Sequence, residues 1–418
     1  MPEPAVTVTA DGGDRSAYLW EVLRILWPQP ARITRYGYGA RGAKPGATEF
    51  LVLPTEGRAA LLIPSRPRRA AAGALRNYKA SGGTRDRLQF RALALAARAG
   101  LAEALPHRIR IEPGPHPGTA NITDYLRAAL RPDVLVSLHI GPPRANRKPV
   151  LQALTPDGEI VGFVKVGVDN LTRELVRAEA AALTFLTDAR LAHLEVPRLL
   201  HHGQWGDHEI LVQRAFRASR PARNSAELGG AMGELASVRG VRNLPATRSP
   251  YWGRLRSRLQ ALTQRDSARP LLQALDMLEP VAESTSLAFG SWHGDWTPWN
   301  MTMSPHGQAL VWDWERFETD VPVGYDAVHY NMQGAMITGG IPAGTAAETA
   351  MSESAGILAP MGVGPGPAGL VATLYLIEIA TRYLHDGQAE AGARMGRIDS
   401  WLLPALARQA RHLSEARS

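Results

Sequence analysis

Apolar residues recur at helical spacing over 16–30 (SAYLWEVLRILWPQP), and Pro28 and Pro30 stop the run, which predicts a short helix. The polar stretch 1–15 precedes it. EFLVLP and AALLIP predict two strands joined by the TEGR turn. RPRRAAAGALRNYKA and DRLQFRALALAARAGLAEAL return to the helical period, HRIRIEP predicts a strand, and PGPHPG breaks the chain. NITDYLRAAL predicts a helix with Asn121 or Thr123 as its cap. From Asp133 the pattern is again strand-like in VLVSLHI, PVLQALT and IVGFVKVG, with a GPPRANRK loop and a PDGE turn between them. A long helix follows in NLTRELVRAEAAALTFLTDA, capped by Asn170 or Thr172, then strands in HLEVPRLLHHGQW and HEILVQRAF. Beyond Ser225 the period is helical except at 291–314, a loop running into a short hairpin. A β-rich part followed by an α-rich part predicts an α+β fold rather than a doubly wound sheet.

VLPTEGRAALLIP (52–64) and ALTPDGEIVGFVK (153–165) share strand, acidic-Gly turn and strand, each followed by an Arg-containing helix. Two readings are open: hairpins resemble one another, or 1–130 contains a degenerate copy of the later β-rich part. The Gly37-Tyr38-Gly39-Ala40-Arg41-Gly42 run matches G-x-G-x-x-G, but a strand follows it where a dinucleotide fingerprint needs a helix. No lysine follows a glycine, which excludes a P-loop.

Composition narrows the chemistry. The 418 residues include no cysteine, so thiolate metal sites and Cys nucleophiles are excluded. No apolar run is long enough to span a membrane, and the N-terminal residues lack the basic-then-apolar pattern of a signal peptide, so a cytoplasmic location is expected. Net charge is +8, but the arginines are scattered through helical segments and accompany abundant Ala, Gly and Pro, so nucleic acid is not an expected partner. Only four of the 47 basic residues are lysine: Lys44, Lys79, Lys148 and Lys165. Against that background a lysine in the strand VGFVKV invites a functional reading, because an ammonium and a guanidinium are not interchangeable in a tight site. His201, His202 and His329 have no metal-ligand spacing.

The segment 291–315 (SWHGDWTPWNMTMSPHGQALVWDWE) carries the strongest signal. A loop carboxylate can orient a hydroxyl and accept its proton, and an amide with a second carboxylate can hold a divalent cation between phosphates. Asp295, Asn300 and Asp313 have the order and spacing for this, the hairpin returning Asp313 beside Asn300. The segment resembles the catalytic loop and metal-binding Asp of the aminoglycoside phosphotransferase and choline kinase superfamily, in HGD-x4-N and a later Asp followed by Trp-Glu. The resemblance spans roughly 133–418.

The resemblance implies a protein-kinase-like two-lobe fold. Residues 1–130 would be an N-terminal α+β extension, 131–216 a small β-rich N-lobe, and 217–418 a large helical C-lobe with the catalytic loop. It implies Asp295 as catalytic Asp, supported by His293 and by Asp326 of the Gly324-Tyr325-Asp326 segment, where a helix cap is the alternative. Asn300 and Asp313 would bind Mg2+. Lys165 would contact nucleotide phosphates, held by Glu179, with Glu174 as the other register. Gly141 and Asn146 resemble the phosphate-covering loop, although Pro142 and Pro143 depart from its pattern, and Gln213 and Ala215 fall in the inter-lobe linker that pairs with adenine. Five of the ten tryptophans lie within 292–314, beside Glu315, Glu318 and Asp320. Trp296, Trp299 and Glu315 are candidate substrate contacts, with two or three of the five rings expected in the core.

The expected function is an ATP- and Mg2+-dependent O-phosphotransferase acting on a small hydroxylated metabolite, such as a sugar, amino-sugar or aminoglycoside. A peptide or protein Ser/Thr kinase and a non-catalytic nucleotide-binding protein are the alternatives.

Overall fold

The computed structural model describes residues 11–37, 45–55, 58–78, 84–114, 120–216 and 225–415. Of the glycine motif at 37–42 only Gly37 is among them. The chain forms two compact units. The first takes in described residues up to Pro143 together with Arg147–Arg177 and Arg198–Ala215; the second takes in Arg144–Asn146, Ala178–Pro197 and the described residues from Phe216 onward.

The elements begin with α1 (Asp11–Leu26), β1 (Arg32–Tyr36), β2 (Thr48–Leu53), β3 (Leu61–Pro64), α2 (Arg68–Asn77) and α3 (Thr84–Arg98). They continue with β4 (Arg108–Glu112), α4 (Ile122–Ala129), β5 (Leu135–His139), β6 (Val150–Leu154), β7 (Ile160–Gly167) and α5 (Asn170–Thr187). Then come β8 (Leu194–Glu195), β9 (Leu199–Trp205) and β10 (His208–Gln213).

Nine strands form one antiparallel sheet in the first unit, in the order β1-β4-β2-β3-β5-β6-β7-β10-β9. One face carries a core that runs from Leu19, Val22 and Leu26 of α1 through Val136 and Val164 to Ile210 and Val212. The other packs Leu51, Leu61 and Ile63 against Ala71, Ala74 and Leu75 of α2 and Ala94 and Ala97 of α3. Strands covered on both faces read as continuous apolar runs, which is what LVL and LLI are.

This architecture corrects the division at residue 130. β3 hydrogen-bonds to β5 in the register Leu61↔His139 and Leu62↔Leu138, so the N-terminal section is part of the same sheet and the same core as the β-rich part that follows. The two copies share a hairpin, β2–β3 and β6–β7, each followed by a helix, α2 and α5. Three local expectations are also refined. The second long helical pattern ends at Gly100, whose φ of 92° breaks it into α3 and a 3₁₀ turn at Leu101–Ala104. Asn121 caps α4, its side chain accepting from the Thr123 and Asp124 N–H groups. α5 is capped by Asp169, which accepts from the Thr172 N–H while the Thr172 hydroxyl accepts from the Asp169 N–H.

The second unit holds α6 (Ser225–Ala236), β11 (Arg242–Pro245), α7 (Pro250–Ala261), α8 (Ala268–Ser284), β12 (Ser286–Trp292), β13 (Met301–Met303), β14 (Ala309–Val311) and β15 (Glu318–Pro322). It closes with α9 (Tyr325–Gln333), α10 (Ala343–Ser352), α11 (Ser354–Leu358), α12 (Pro365–Asp386) and α13 (Leu402–Glu415). β12 is the middle strand of β11-β12-β15, and β14 lies between β13 and β8. α12 is buried around most of its circumference and forms the core of this unit. A β-rich unit and a mainly helical one are the content of the expected protein-kinase-like α+β fold. Among the described residues no single helix is long and apolar enough to cross a membrane.

Two consequences can be checked. A chain starting at residue 131 lacks the strand that pairs with β5 and one wall of its core, so it is expected in the insoluble fraction where the full chain is soluble, as read by soluble yield and thermal unfolding. Gly73 of α2 meets the β6–β7 turn so closely that an added Cβ would lie 2.1 Å from the Gly158 carbonyl oxygen. Gly73→Ala is expected to cost about 1–3 kcal/mol, read as a lower urea midpoint.

Candidate active site

β12 delivers the chain into His293-Gly294-Asp295. Gly294 has a φ of +82°, and a Cβ there would stand 2.3 Å from the Arg316 carbonyl oxygen, so the turn requires glycine. Asp326, in the first turn of α9, accepts the His293 N–H at 2.7 Å and the Gly294 N–H at 3.1 Å. Arg382 of α12 donates to the Gly294 carbonyl at 2.5 Å. The loop backbone is thus tied to two helices. Gly324 occupies the N-cap of α9 without a side-chain cap, so Asp326 braces the loop and is not a helix cap. Burial pushes the Asp326 carboxyl up to about 7, opposed by the two N–H donors.

His293 ties the loop to the hairpin. Its Nδ1 accepts the Asp295 N–H at 3.1 Å, so the proton sits on Nε2, which donates to the Trp312 carbonyl at 3.1 Å. Burial lowers the imidazole to about 4, keeping it neutral, as the Nδ1 bond requires. Met301 pairs with Val311, and the Trp312 N–H donates to the Asn300 carbonyl at 3.1 Å, so the hairpin returns the chain beside Asn300. Asp313 follows in the left-handed region with a φ of 75°, a conformation costly for a residue with a Cβ and typical of functional sites.

The Asp295 carboxylate is held at both oxygens. Oδ2 accepts from the Asn300 amide at 2.8 Å, and Oδ1 accepts from His329 Nε2 at 3.1 Å. The Asp295 side chain is 34% exposed whereas that of His329 is 1% exposed. Burial alone would raise the Asp295 pKa, but the His329 bond and the charge of Arg382 bring it below the ordinary carboxylate value, so the group is ionised. His329, set aside in the sequence for want of a metal-ligand spacing, is therefore a member of the site. Its signal was the D-x-x-H spacing from Asp326, which puts both side chains on one face of α9.

Carboxylate oxygens of Glu179, Asp313 and Glu315 all lie within 4.8 Å of one another. Glu179 is fully buried and accepts the Trp314 N–H at 3.2 Å, whereas Glu174 is exposed. Glu315 accepts from the Asn146 amide at 2.9 Å, and the adjacent Ala145 N–H donates to Gln388 at 3.3 Å. Asn146 is thereby placed at this acidic cluster.

Two substrate-contact expectations change. Trp296 is completely buried, packed edge-on against His293, and cannot touch a substrate. Glu315, 5% exposed, serves the acidic cluster first. Trp292, Trp296 and Trp314 are core rings, and Trp299 and Trp312 remain partly exposed.

Lys165, Gly141, Gln213 and Ala215 belong to the first unit. Lys165 lies opposite Val150 and Leu211 in the middle of the sheet and is buried. Its neighbours Val164 and Val166 point into the apolar core, so alternation sends Lys165 to the other face. Gly141 stands in open space, where a Cβ would meet nothing within 4 Å. Gln213 ends β10, and between it and Ala215 the Arg214 N–H is taken by the Arg198 carbonyl at 2.8 Å.

Residues 158–331 match the phosphotransferase enzyme family. The chain is a phosphotransferase. No curated protein matches it. Solved structures with a similar course include choline kinase LicA from Streptococcus pneumoniae, 14% identical, covering 70% of this chain and 98% of that one with a TM-score of 0.44. Aminoglycoside phosphotransferase APH(2'')-Ib in its ADP-bound form is 11% identical, covers 70% of this chain and 97% of that one, and gives a TM-score of 0.41. A putative fructosamine-3-kinase from Haemophilus somnus 129PT is 14% identical, covers 64% and 88%, and gives 0.37.

The phosphotransferase should lose stability in acid through His293. In the unfolded chain this imidazole binds a proton near its ordinary value of 6.5; in the folded protein it does so only near 4. The unfolded state therefore holds more protons between those values, and the stabilising contribution present above 6.5 is lost as pH falls through 4. Urea midpoints measured from pH 7.5 to 4.5 are expected to fall, and to fall less steeply in His293→Gln.

Proposed function

We propose that this phosphotransferase moves the γ-phosphoryl group of ATP to a hydroxyl of a small, neutral, polyhydroxylated metabolite. The observation that carries the reading is Asp295: an ionised, part-exposed carboxylate fixed at both oxygens on a braced loop beside three clustered carboxylates.

Asp295 orients the acceptor hydroxyl and takes its proton as the hydroxyl oxygen bonds to the γ-phosphorus and the bond to the departing ADP oxygen breaks. Asn300 spends its N–H on Asp295, so its amide oxygen is the donor it offers to a cation. That oxygen and the carboxylates of Asp313, Glu315 and Glu179 are hard donors that suit Mg2+. When bound, the cation supplies neutralisation of phosphate charge. Lys165, Gly141, Gln213 and Ala215 are assigned to the nucleotide on motif order along the chain.

The acceptor class is supported by a cavity of about 270 Å³ next to the loop, walled by Trp292, Arg316, Glu318, Arg258, Glu378 and Arg382. Three carboxylates, Glu315, Glu318 and Glu378, face three guanidiniums in its wall; Arg258 holds Glu378 with two bonds of 2.8 and 2.5 Å, and Arg254 pairs with Glu318 at 3.2 Å. A wall so balanced has little to offer a polycation such as an aminoglycoside. It offers a sugar or polyol donors, acceptors and an aromatic edge.

The test mixes purified protein, ATP and Mg2+ with a small-molecule extract and follows phosphate gain by mass spectrometry. A neutral polyol or sugar is expected to gain one phosphate. Asp295→Asn is expected to lower that rate roughly 100- to 10,000-fold while ATP still binds. Phosphate appearing only on peptides, or an unimpaired Asp295→Asn, defeats the proposal.

A further inference from the structure

We propose that His329, fixed from behind by Tyr375, is a positioning residue that sets the orientation of the Asp295 carboxylate. The inference rests on the reading of Asp295 as the group that takes the acceptor's proton.

His329 is buried in the core of the second unit, yet its Nε2 reaches a carboxylate that is one-third exposed. Its Nδ1 lies 2.7 Å from the Tyr375 hydroxyl. Tyr375 is fully buried on α12, and burial pushes its phenol well above the usual range, so the hydroxyl keeps its hydrogen. A hydroxyl donating to Nδ1 leaves the imidazole proton on Nε2, directed at Asp295 Oδ1. Burial also lowers the His329 pKa, which favours this neutral tautomer.

A structural role alone does not account for the contact. The loop backbone is already held by Asp326 and Arg382, and the Asn300 bond fixes only Oδ2. What His329 adds is a second point on the same carboxylate, from a different element. Two donors at two oxygens fix the plane of the group; one donor leaves it free to turn. Phosphoryl transfer depends on that placement more than on any covalent step by the protein.

The experiment uses the full chain with Mg2+–ATP and water as the acceptor, measured as phosphate release, for wild type, His329→Leu, His329→Gln, Tyr375→Phe and Asp295→Asn. Crystal structures of wild type and His329→Leu locate the Asp295 carboxylate. His329→Leu is expected to lower kcat roughly 100-fold, the effect of an ångström-scale misplacement, with KM for ATP unchanged. In its crystal structure the carboxylate is expected to be turned away from its wild-type position. His329→Gln, whose amide N–H can reach the same oxygen, is expected to recover most of the loss, and Tyr375→Phe to lose a few-fold.

Wild-type turnover in His329→Leu, parallel losses in kcat and KM, no rescue by glutamine, or an unmoved carboxylate would each overturn the proposal. If Asp295→Asn turns over like wild type, the reading of Asp295 fails instead, and positioning it has no purpose. If wild type releases no phosphate with water, the two crystal structures decide: an unmoved carboxylate overturns the role and a turned one supports it.

Discussion

Two backbone N–H groups, those of His293 and Gly294, end on the single carboxylate of Asp326. Without them the turn at Gly294 keeps only the Arg382 bond to its carbonyl, and the chain beyond it loses its direction. The anchor sits in the first turn of α9, and His329 stands one turn further on the same helix. One helix therefore fixes both the path of the loop and one oxygen of Asp295. The hairpin between β13 and β14 fixes the other, through Asn300. A sub-ångström slide of α9 would shift both contacts together, which is why its packing against α12 matters to the chemistry.

The sequence revealed those parts of the site whose chemistry lies within a few dozen residues. HGD-x4-N and the hairpin that returns Asp313 depend on local spacing and turn chemistry, so they could be read directly. Glu179 was a candidate because a lysine is rare in this chain and a helix follows the one in VGFVKV. The contacts of His329 and Asn146 were not visible. Each joins different elements, 34 residues apart for His329 and Asp295 and 169 for Asn146 and Glu315, and spacing within one element does not record such a meeting. Trp296 misled for a different reason. A ring next to a loop aspartate can face a cleft or the core, and residue type does not say which.

Fold class and most elements were likewise legible from period and punctuation. The cap of α5 was not, because Asp169, Asn170 and Thr172 are all competent and only geometry chooses. Strand order was the larger gap. An apolar run tells that a strand is covered on both faces, but not which strand lies next to it. β4 inserts between β1 and β2, and β3 pairs with β5, so a section that reads as an appendage completes the sheet.

That sheet sets a timetable for synthesis. Leu19, Val22, Leu23 and Leu26 are among the earliest described residues to leave a ribosome, and they share a core with Ile210 and Val212 of β10. The apolar stripe of α1 therefore waits through nearly half the chain before its last wall arrives. Long-range pairings of this kind fold slowly, because the closure entropy precedes the contacts that offset it. A nascent chain in this interval exposes a greasy helix and unpaired strand edges together, the combination that recruits holding chaperones. The first unit is a product of the first half of the chain rather than of its earliest elements.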